Sequence, residues 1–424
     1  MNRIIEYSFY ALFFLVPLIL TPWNYELFEF NKMLFVYLGT VIITAAWAIR
    51  MILNRKLILR RTPFDIPILL FLLSQILSTI FSIDPRTSLL GYYSRFHGGL
   101  LSTTAYILLY YAFVSNMDKK KTLNTVHCLL TTAVLVAAYG ILEHFGIDKN
   151  LWVQDVQNRV FSTLGQPNWL AAYLVTLIFI PISFARRRLA NYALVAIFYL
   201  TLLYTKSRSG ILGFALGYLV FWSISKFRPL KTFLLVSCFL LLVSFLDGLR
   251  WIPQVAKYTS GVKSSNTPEV RSVTGTQLET GGSESGDIRK IVWKGAIRIW
   301  RRYPLFGSGV ETFAYSYYNF RPAEHNLVSE WDFLYNKAHN EYLNFLATTG
   351  IFGLGTYLLL QIWFVIWSLK IVNSLKIENC KFIIALISGY IGLSVSNFFG
   401  FSTVPVALLF FLFPAFALTY ETQT

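Results

Sequence analysis

The sequence predicts an all-α polytopic membrane protein with about twelve transmembrane helices and one long extracytoplasmic loop that contains amphipathic helices. Three observations carry that expectation. Of the 424 residues, 55% are hydrophobic and only 14% charged, too apolar and too charge-poor for a water-soluble domain. Apolar stretches recur along the chain, most of them near the roughly 20 residues of helix needed to cross a hydrocarbon core. The basic residues, finally, alternate between heavy and light loops.

The apolar stretches lie near residues 6–22, 33–49, 64–82, 99–115, 124–143, 168–185, 190–205, 210–225 and 232–249, then 342–369, 380–398 and 403–419. The shortest start at 190 and 210. The first runs through Pro17 into TPWNY without a small-residue cleavage site, so it reads as a span and not as a cleavable signal. The chain is thus divided into nine spans over 1–250, an extracytoplasmic loop over 251–338, and three spans over 339–424.

The formal charge of +16 invites a nucleic-acid reading, and its distribution rejects it. Counting Lys and Arg along the chain gives 18 in the N-terminus and alternate short loops, including Arg50, Arg55, Lys56, Arg60, Arg61, Lys119 to Lys121, Arg186 to Arg188, Lys226, Arg228, Lys231, Lys370, Lys376 and Lys381. The intervening short loops hold 7 and the long loop 12. By the positive-inside rule both termini are cytoplasmic and the long loop is outside. Cys128, Cys238 and Cys380 lie in or beside spans with no metal-like spacing, so neither a disulfide framework nor a metal site is expected.

Within the long loop, residues 259–286 contain 16 Ser, Thr or Gly, the composition of a flexible linker. Asp287 then reads as an N-cap, and Ile288, Ile291, Val292, Ile299 and Trp300 recur at helical spacing until Pro304. The opposite side carries Arg289, Lys290, Lys294, Arg298, Arg301 and Arg302. Such a helix either lies among headgroups or packs its apolar face on the loop's own core, and charge alone does not single out one of its cations.

Four constellations could carry chemistry. Arg208, in TKSRSG at an outer helix start, can grip two phosphate oxygens, with the backbone N–H groups of Ser209 and Gly210 nearby; alternatively it caps a helix or meets lipid phosphate. Arg289 opens the amphipathic helix. His339 and Asn340 stand at the outer end of a span, followed by Gly350 and Gly353; a neutral imidazole there can accept a hydroxyl proton while Asn340 or Glu341 orients it, or it is simply an interfacial residue. Arg159, Gln166 and Asn168 stand before another span, facing sugar or water. Outer aromatics such as Tyr92, Tyr93, Trp152, Trp169, Tyr315, Tyr317 and Tyr318 suit sugar stacking or an interfacial belt.

His339, Asn340, nine residues, Gly350, two residues and Gly353, together with SRSG at Arg208, Arg289 with Trp293, PLFGSGVETF from Pro304 to Phe313, and the GxPNxxA run from Gly165 to Ala171, resemble the bacterial O-antigen ligase and polymerase superfamily, which includes O-oligosaccharyltransferases. The related core spans approximately 190–365. The resemblance implies a GT-C-like fold and an inverting, metal-independent glycosyltransferase without a cofactor. Its donor would be a glycan on undecaprenyl pyrophosphate at the outer face of the bacterial inner membrane. By position, Arg208 and Arg289 would bind the pyrophosphate and His339 would activate or position the acceptor hydroxyl; Arg159, Asn168 and Asn340 are added as candidate substrate-binding residues from their place at the outer span ends. Lipid A-core, a growing glycan or a protein are all possible acceptors, with membrane lipids as the surrounding partner and no nucleic acid. A polytopic transporter and a scaffold are the rival classes; no symmetry between halves supports the first, and the second needs no convergence of Arg208, Arg289 and His339.

Overall fold

The computed structural model describes residues 1–23, 26–152, 154–184, 189–225, 230–247, 285–374 and 377–421. The linker expected at 259–286 falls outside them up to residue 284, as do the basic residues at 186–188, 226, 228 and 376. Among the described residues the chain is built from helices: α1 (Asn2–Leu15), α2 (Phe30–Leu53), α3 (Asp65–Ile80), α4 (Pro85–Leu90), α5 (Leu100–Asn116), α6 (Lys119–His144), α7 (Pro167–Leu177), α8 (Phe179–Phe184), α9 (Leu189–Tyr204), α10 (Arg208–Ile224), α11 (Leu230–Asp247), α12 (Ser285–Arg302), α13 (Phe313–Phe320), α14 (Glu341–Ser374), α15 (Ile377–Phe398) and α16 (Val404–Glu421).

Among the described residues each expected apolar stretch contains a helix, although the first ends at Leu15 and leaves 16–22 outside it. Among the described residues six segments are long and apolar enough to cross a membrane, over Phe30–Asn54, Lys119–His144, Pro167–Phe184, Glu341–Ser374, Cys380–Phe398 and Val404–Glu421, and shorter apolar helices accompany them. α16 forms the centre, buried from Val404 to Tyr420. The stretch expected at 168–185 is split into α7 and α8, because Pro181 has no N–H to give the carbonyl of Leu177.

Small residues set the crossing that positions the site. A Cβ on Gly213 would come within 2.5 Å of the Gly392 carbonyl oxygen, and one on Gly389 within 2.1 Å of the Thr176 carbonyl oxygen. Helices α10, α15 and α7 therefore meet backbone to backbone, which only residues without side chains allow. That contact brings the start of α10, with Arg208, beside the end of α15.

The span expected at 342–369 is interrupted. Gly350 has φ 66 and ψ −168, breaking α14 into 341–349 and 351–374. The backbone groups freed by the break are taken up by the PLFGSG turn: Ser308 N donates to Ala347 O (3.1 Å) and Gly309 N to Thr348 O (2.9 Å), while Ile351 N donates to Pro304 O (2.9 Å) and Phe352 N to Leu305 O (3.2 Å). Non-helical backbone at membrane depth persists where protein supplies such partners.

α12 also differs from its sequence reading. It begins at Ser285, so Asp287 sits inside the first turn, its carboxylate taking Lys290 at 2.8 Å. Ile288, Val292, Ala296 and Ile299 are buried against Phe313, Tyr317, Tyr335, Ala338 and Ala347. Of the two readings of this helix, the structure has the apolar face packed on the loop's own core.

Candidate functional site

A cavity of about 610 Å³ is lined by Asn158, Arg159, Asn168, Lys206, Arg208, Ser209 and Arg289, with Leu212, Gly286 and Phe399. Among the described residues it holds four cations and no carboxylate. Arg159, Asn168, Arg208 and Arg289, which sequence reasoning placed on three separate segments, therefore share one wall-to-wall site.

Local structure explains each placement. Lys206 takes a positive φ of 48° and turns the chain into α10, where Ser207 caps the helix by accepting from Gly210 N at 3.2 Å. The Ser207 hydroxyl donates to Asn168 Oδ1 at 2.8 Å, tying the start of α7 to this turn. Arg159 Nε donates to Thr205 O at 3.1 Å, which aims the rest of its guanidinium past the same turn. Arg208, first in α10, is exposed to the cavity and has no hydrogen-bond or ion-pair partner among the described residues. Of the six cations on α12, only Arg289 is half-buried; Lys290, Lys294, Arg298, Arg301 and Arg302 are exposed. The structure thus singles out the arginine that charge alone could not.

The cavity is short of negative charge. Burial pushes both Arg159 and Arg289 below the usual guanidinium range, and repulsion from Arg289 pushes Arg159 further. Each is an arginine by nature and stays charged at working pH, so the shifts express attraction for an anion more than any loss of protons.

His339 sits at the edge of this cavity. It lines a small adjoining pocket with Gln166, Trp169, Asn397 and Phe401, and Asn168 and Phe399 border both spaces. Its backbone is left-handed, with φ 50°, a conformation that costs a non-glycine residue about 1–3 kcal/mol. The neighbouring residue explains how that is enforced. Ala338 gives its N–H to Asn344 Oδ1 (3.2 Å) and its carbonyl accepts from Trp293 Nε1 (3.1 Å), so α14 and α12 hold the peptide from both sides. The Arg289 and Trp293 pairing seen in sequence is therefore one cation for the cavity and one clamp for His339.

The imidazole lies edge-on to Tyr335 and Phe401, with ring centroids 5.5 and 5.4 Å away. Neither ring nitrogen has a hydrogen-bond partner among the described residues. Burial, with the charges of Arg289 and Arg95, holds His339 down to about 4, so it is neutral and able to accept a proton.

Asn340 and Glu341 are used otherwise than to orient the imidazole. Asn340 is buried and its Oδ1 accepts from Leu343 N at 3.0 Å, capping α14, and it lines neither space. The Glu341 carboxylate accepts from Ser402 N at 3.4 Å and faces a separate polar pocket with His97, Glu311 and Lys337. Sequence reasoning passed over two features near His339. One is the buried Lys337 and Glu311 ion pair. The other is Arg95, in YYSRFHGG, whose only signal was a lone cation among aromatics beside a Gly pair.

Residues 192–358 match the family described as O-antigen ligase. That segment runs from α9 to beyond Gly353 and includes Arg208, Arg289 and His339, while Arg159, Asn168 and Arg95 lie before it. The matched segment is thus similar to the O-antigen ligase family, and it lies within a helical chain that carries several membrane-length apolar helices. No curated protein matches the chain.

Proposed function

We propose that this chain is an O-antigen ligase-like enzyme that transfers a glycan from undecaprenyl pyrophosphate to an acceptor hydroxyl at the outer face of the bacterial inner membrane. The twelve apolar helical segments would cross the membrane, with both termini cytoplasmic and the cavity facing the periplasm or cell exterior. The observation that carries this reading is a cavity whose described lining has four cations and no carboxylate, bordered by a neutral histidine whose ring nitrogens have no hydrogen-bond partner among the described residues. A pyrophosphate leaving group needs fixed positive charge where its negative charge develops, and guanidinium groups can supply what a metal ion supplies elsewhere.

In the proposed step the acceptor oxygen attacks the anomeric carbon, and the bond from that carbon to the pyrophosphate oxygen breaks. The hydroxyl proton passes to His339, and the leaving oxygens are received by Arg208 and Arg289 with Arg159 and Lys206 behind them. A single displacement without an enzyme nucleophile inverts the anomeric centre. Donor binding would also offset the charge of Arg289 near His339, raising its basicity when a base is required.

The test is transfer by the purified protein in nanodiscs, from a polyprenyl-pyrophosphate glycan to lipid A-core, free glycan and protein acceptors in separate reactions. Transfer to one of them is expected and identifies the acceptor class. Donor that is bound but never consumed with any of the three would overturn the reading.

A further inference from the structure

Among the described residues near His339, Arg95 is the cation that neither the cavity nor an ion pair explains. Its loop between α4 and α5 is tightly folded: Gly91, Phe96 and Gly98 have φ of 91, 48 and 86°. Tyr92 O accepts from both Arg95 N and Phe96 N at 2.9 Å, and Phe96 O accepts from Tyr37 Oη at 2.8 Å. A Cβ on Gly99 would come within 2.4 Å of Gly91 N, so the loop closes on itself. This frame delivers the guanidinium onto two aromatic faces, 5.2 Å from the Trp169 ring centre and 5.5 Å from that of Phe401.

Those rings line the His339 pocket, and Phe401 also contacts the imidazole. Among the described residues no carboxylate pairs with Arg95, and its Nε is buried without a hydrogen-bond partner. The other cation beside Phe401, Lys337, is already neutralised by Glu311. A partly buried guanidinium with no carboxylate in contact is costly to hold: Glu29, whose charge it feels, is already paired with Lys32, and stacking compensates only part of the cost. Arg95 does not line the four-cation cavity, so it is not a further wall of that site.

We propose that Arg95 is a second oxyanion subsite at the reacting centre, binding a phosphate or carboxylate oxygen of a sugar substrate across Trp169 and Phe401 from the pyrophosphate cavity. The inference rests on the glycan-transfer reading above. The oxyanion belongs either to the acceptor or to the donor glycan, and kinetics distinguish these sources.

Arg95→Met retains length and apolar stacking and removes the charged fork. With donor varied at saturating acceptor, and then the reverse, the apparent KM for one substrate should rise roughly 10- to 100-fold while kcat, the other KM and the melting temperature hold. A rise for acceptor places the anion there; a rise for donor places it on the donor. Arg95→Lys should fall between wild type and Arg95→Met, and it decides the matter by the same KM shift if Arg95→Met does not fold. Two unmoved KM values, or a fall in kcat and melting temperature without a selective KM shift, would overturn the proposal. Arg208→Ala, run in parallel, keeps the two ideas separable. If it too binds donor normally, the pyrophosphate cavity fails, whereas a raised donor KM with a silent Arg95 removes only the second subsite.

Discussion

The protonation of His339 offers the sharpest test of the site. With the imidazole held to about 4 by burial, Arg289 and Arg95, it is about nine-tenths neutral at pH 5 and fully neutral by pH 7. If His339 is the base, kcat/KM in the free enzyme should rise only about 1.1-fold between those pH values, with its half-point near 4. An unperturbed imidazole, titrating near 6.5, would be only about 3% neutral at pH 5, so the same interval would give roughly a 25-fold rise. The limb in kcat should lie above that in kcat/KM, because bound pyrophosphate offsets the positive field that depresses the free site. Arg289→Gln should move the kcat/KM limb upward, since one of the two depressing charges is removed. The assay is initial-rate transfer from pH 3.5 to 8, restricted to conditions where the protein stays folded. That restriction matters: His97 and His339 are depressed to about 3 and about 4 in the fold, so their stabilising neutrality is complete above about pH 6.5 and is lost as pH falls through those values. A half-point of kcat/KM near 6.5, unmoved by Arg289→Gln, would refute the burial and charge argument.

Three further outcomes follow from named contacts. Arg208→Ala should raise the donor KM roughly 10- to 100-fold, with Arg208→Lys intermediate because a point charge replaces a fork; steady-state kinetics with varied donor decide it. Gly350→Ala places a Cβ 2.3 Å from the Leu305 backbone in a conformation only glycine tolerates, and should cost about 3 kcal/mol or more, seen as a lowered thermal midpoint. In a background without the native cysteines, Asp332→Cys should react with a membrane-impermeant thiol reagent in intact spheroplasts and Asn54→Cys should not; the reverse pattern would invert the topology.

Hydropathy and helical spacing were enough to locate the long apolar helices and the amphipathic one, because both depend on residues close together in sequence. The same spacing marked Ile288, Val292 and Ile299 as one apolar face of α12. It could not say what covers that face, since Phe313, Tyr317 and Tyr335 arrive from elsewhere in the chain. The motifs also pointed to Arg208, Arg289 and His339 as separate candidates. Their convergence is tertiary, made by glycine contacts that bring α10 against α15 and by the Trp293 and Asn344 hydrogen bonds that hold the peptide before His339.

Asn340 shows the limit most clearly. Its side chain was expected to orient His339 or the substrate, and the fold gives its oxygen to Leu343 N. The break at Gly350 was equally hidden: a glycine in an apolar run reads as a place for close packing, and only the PLFGSG turn supplies partners for the opened backbone. Residue type by itself determined which groups can carry charge, accept a proton or adopt a left-handed backbone. The tertiary structure decided which are unpaired, which are neutral and which share a cavity, because the electrostatic potential at His339 is a sum over groups such as Arg95 and Arg289 that the chain keeps far apart and only packing brings together.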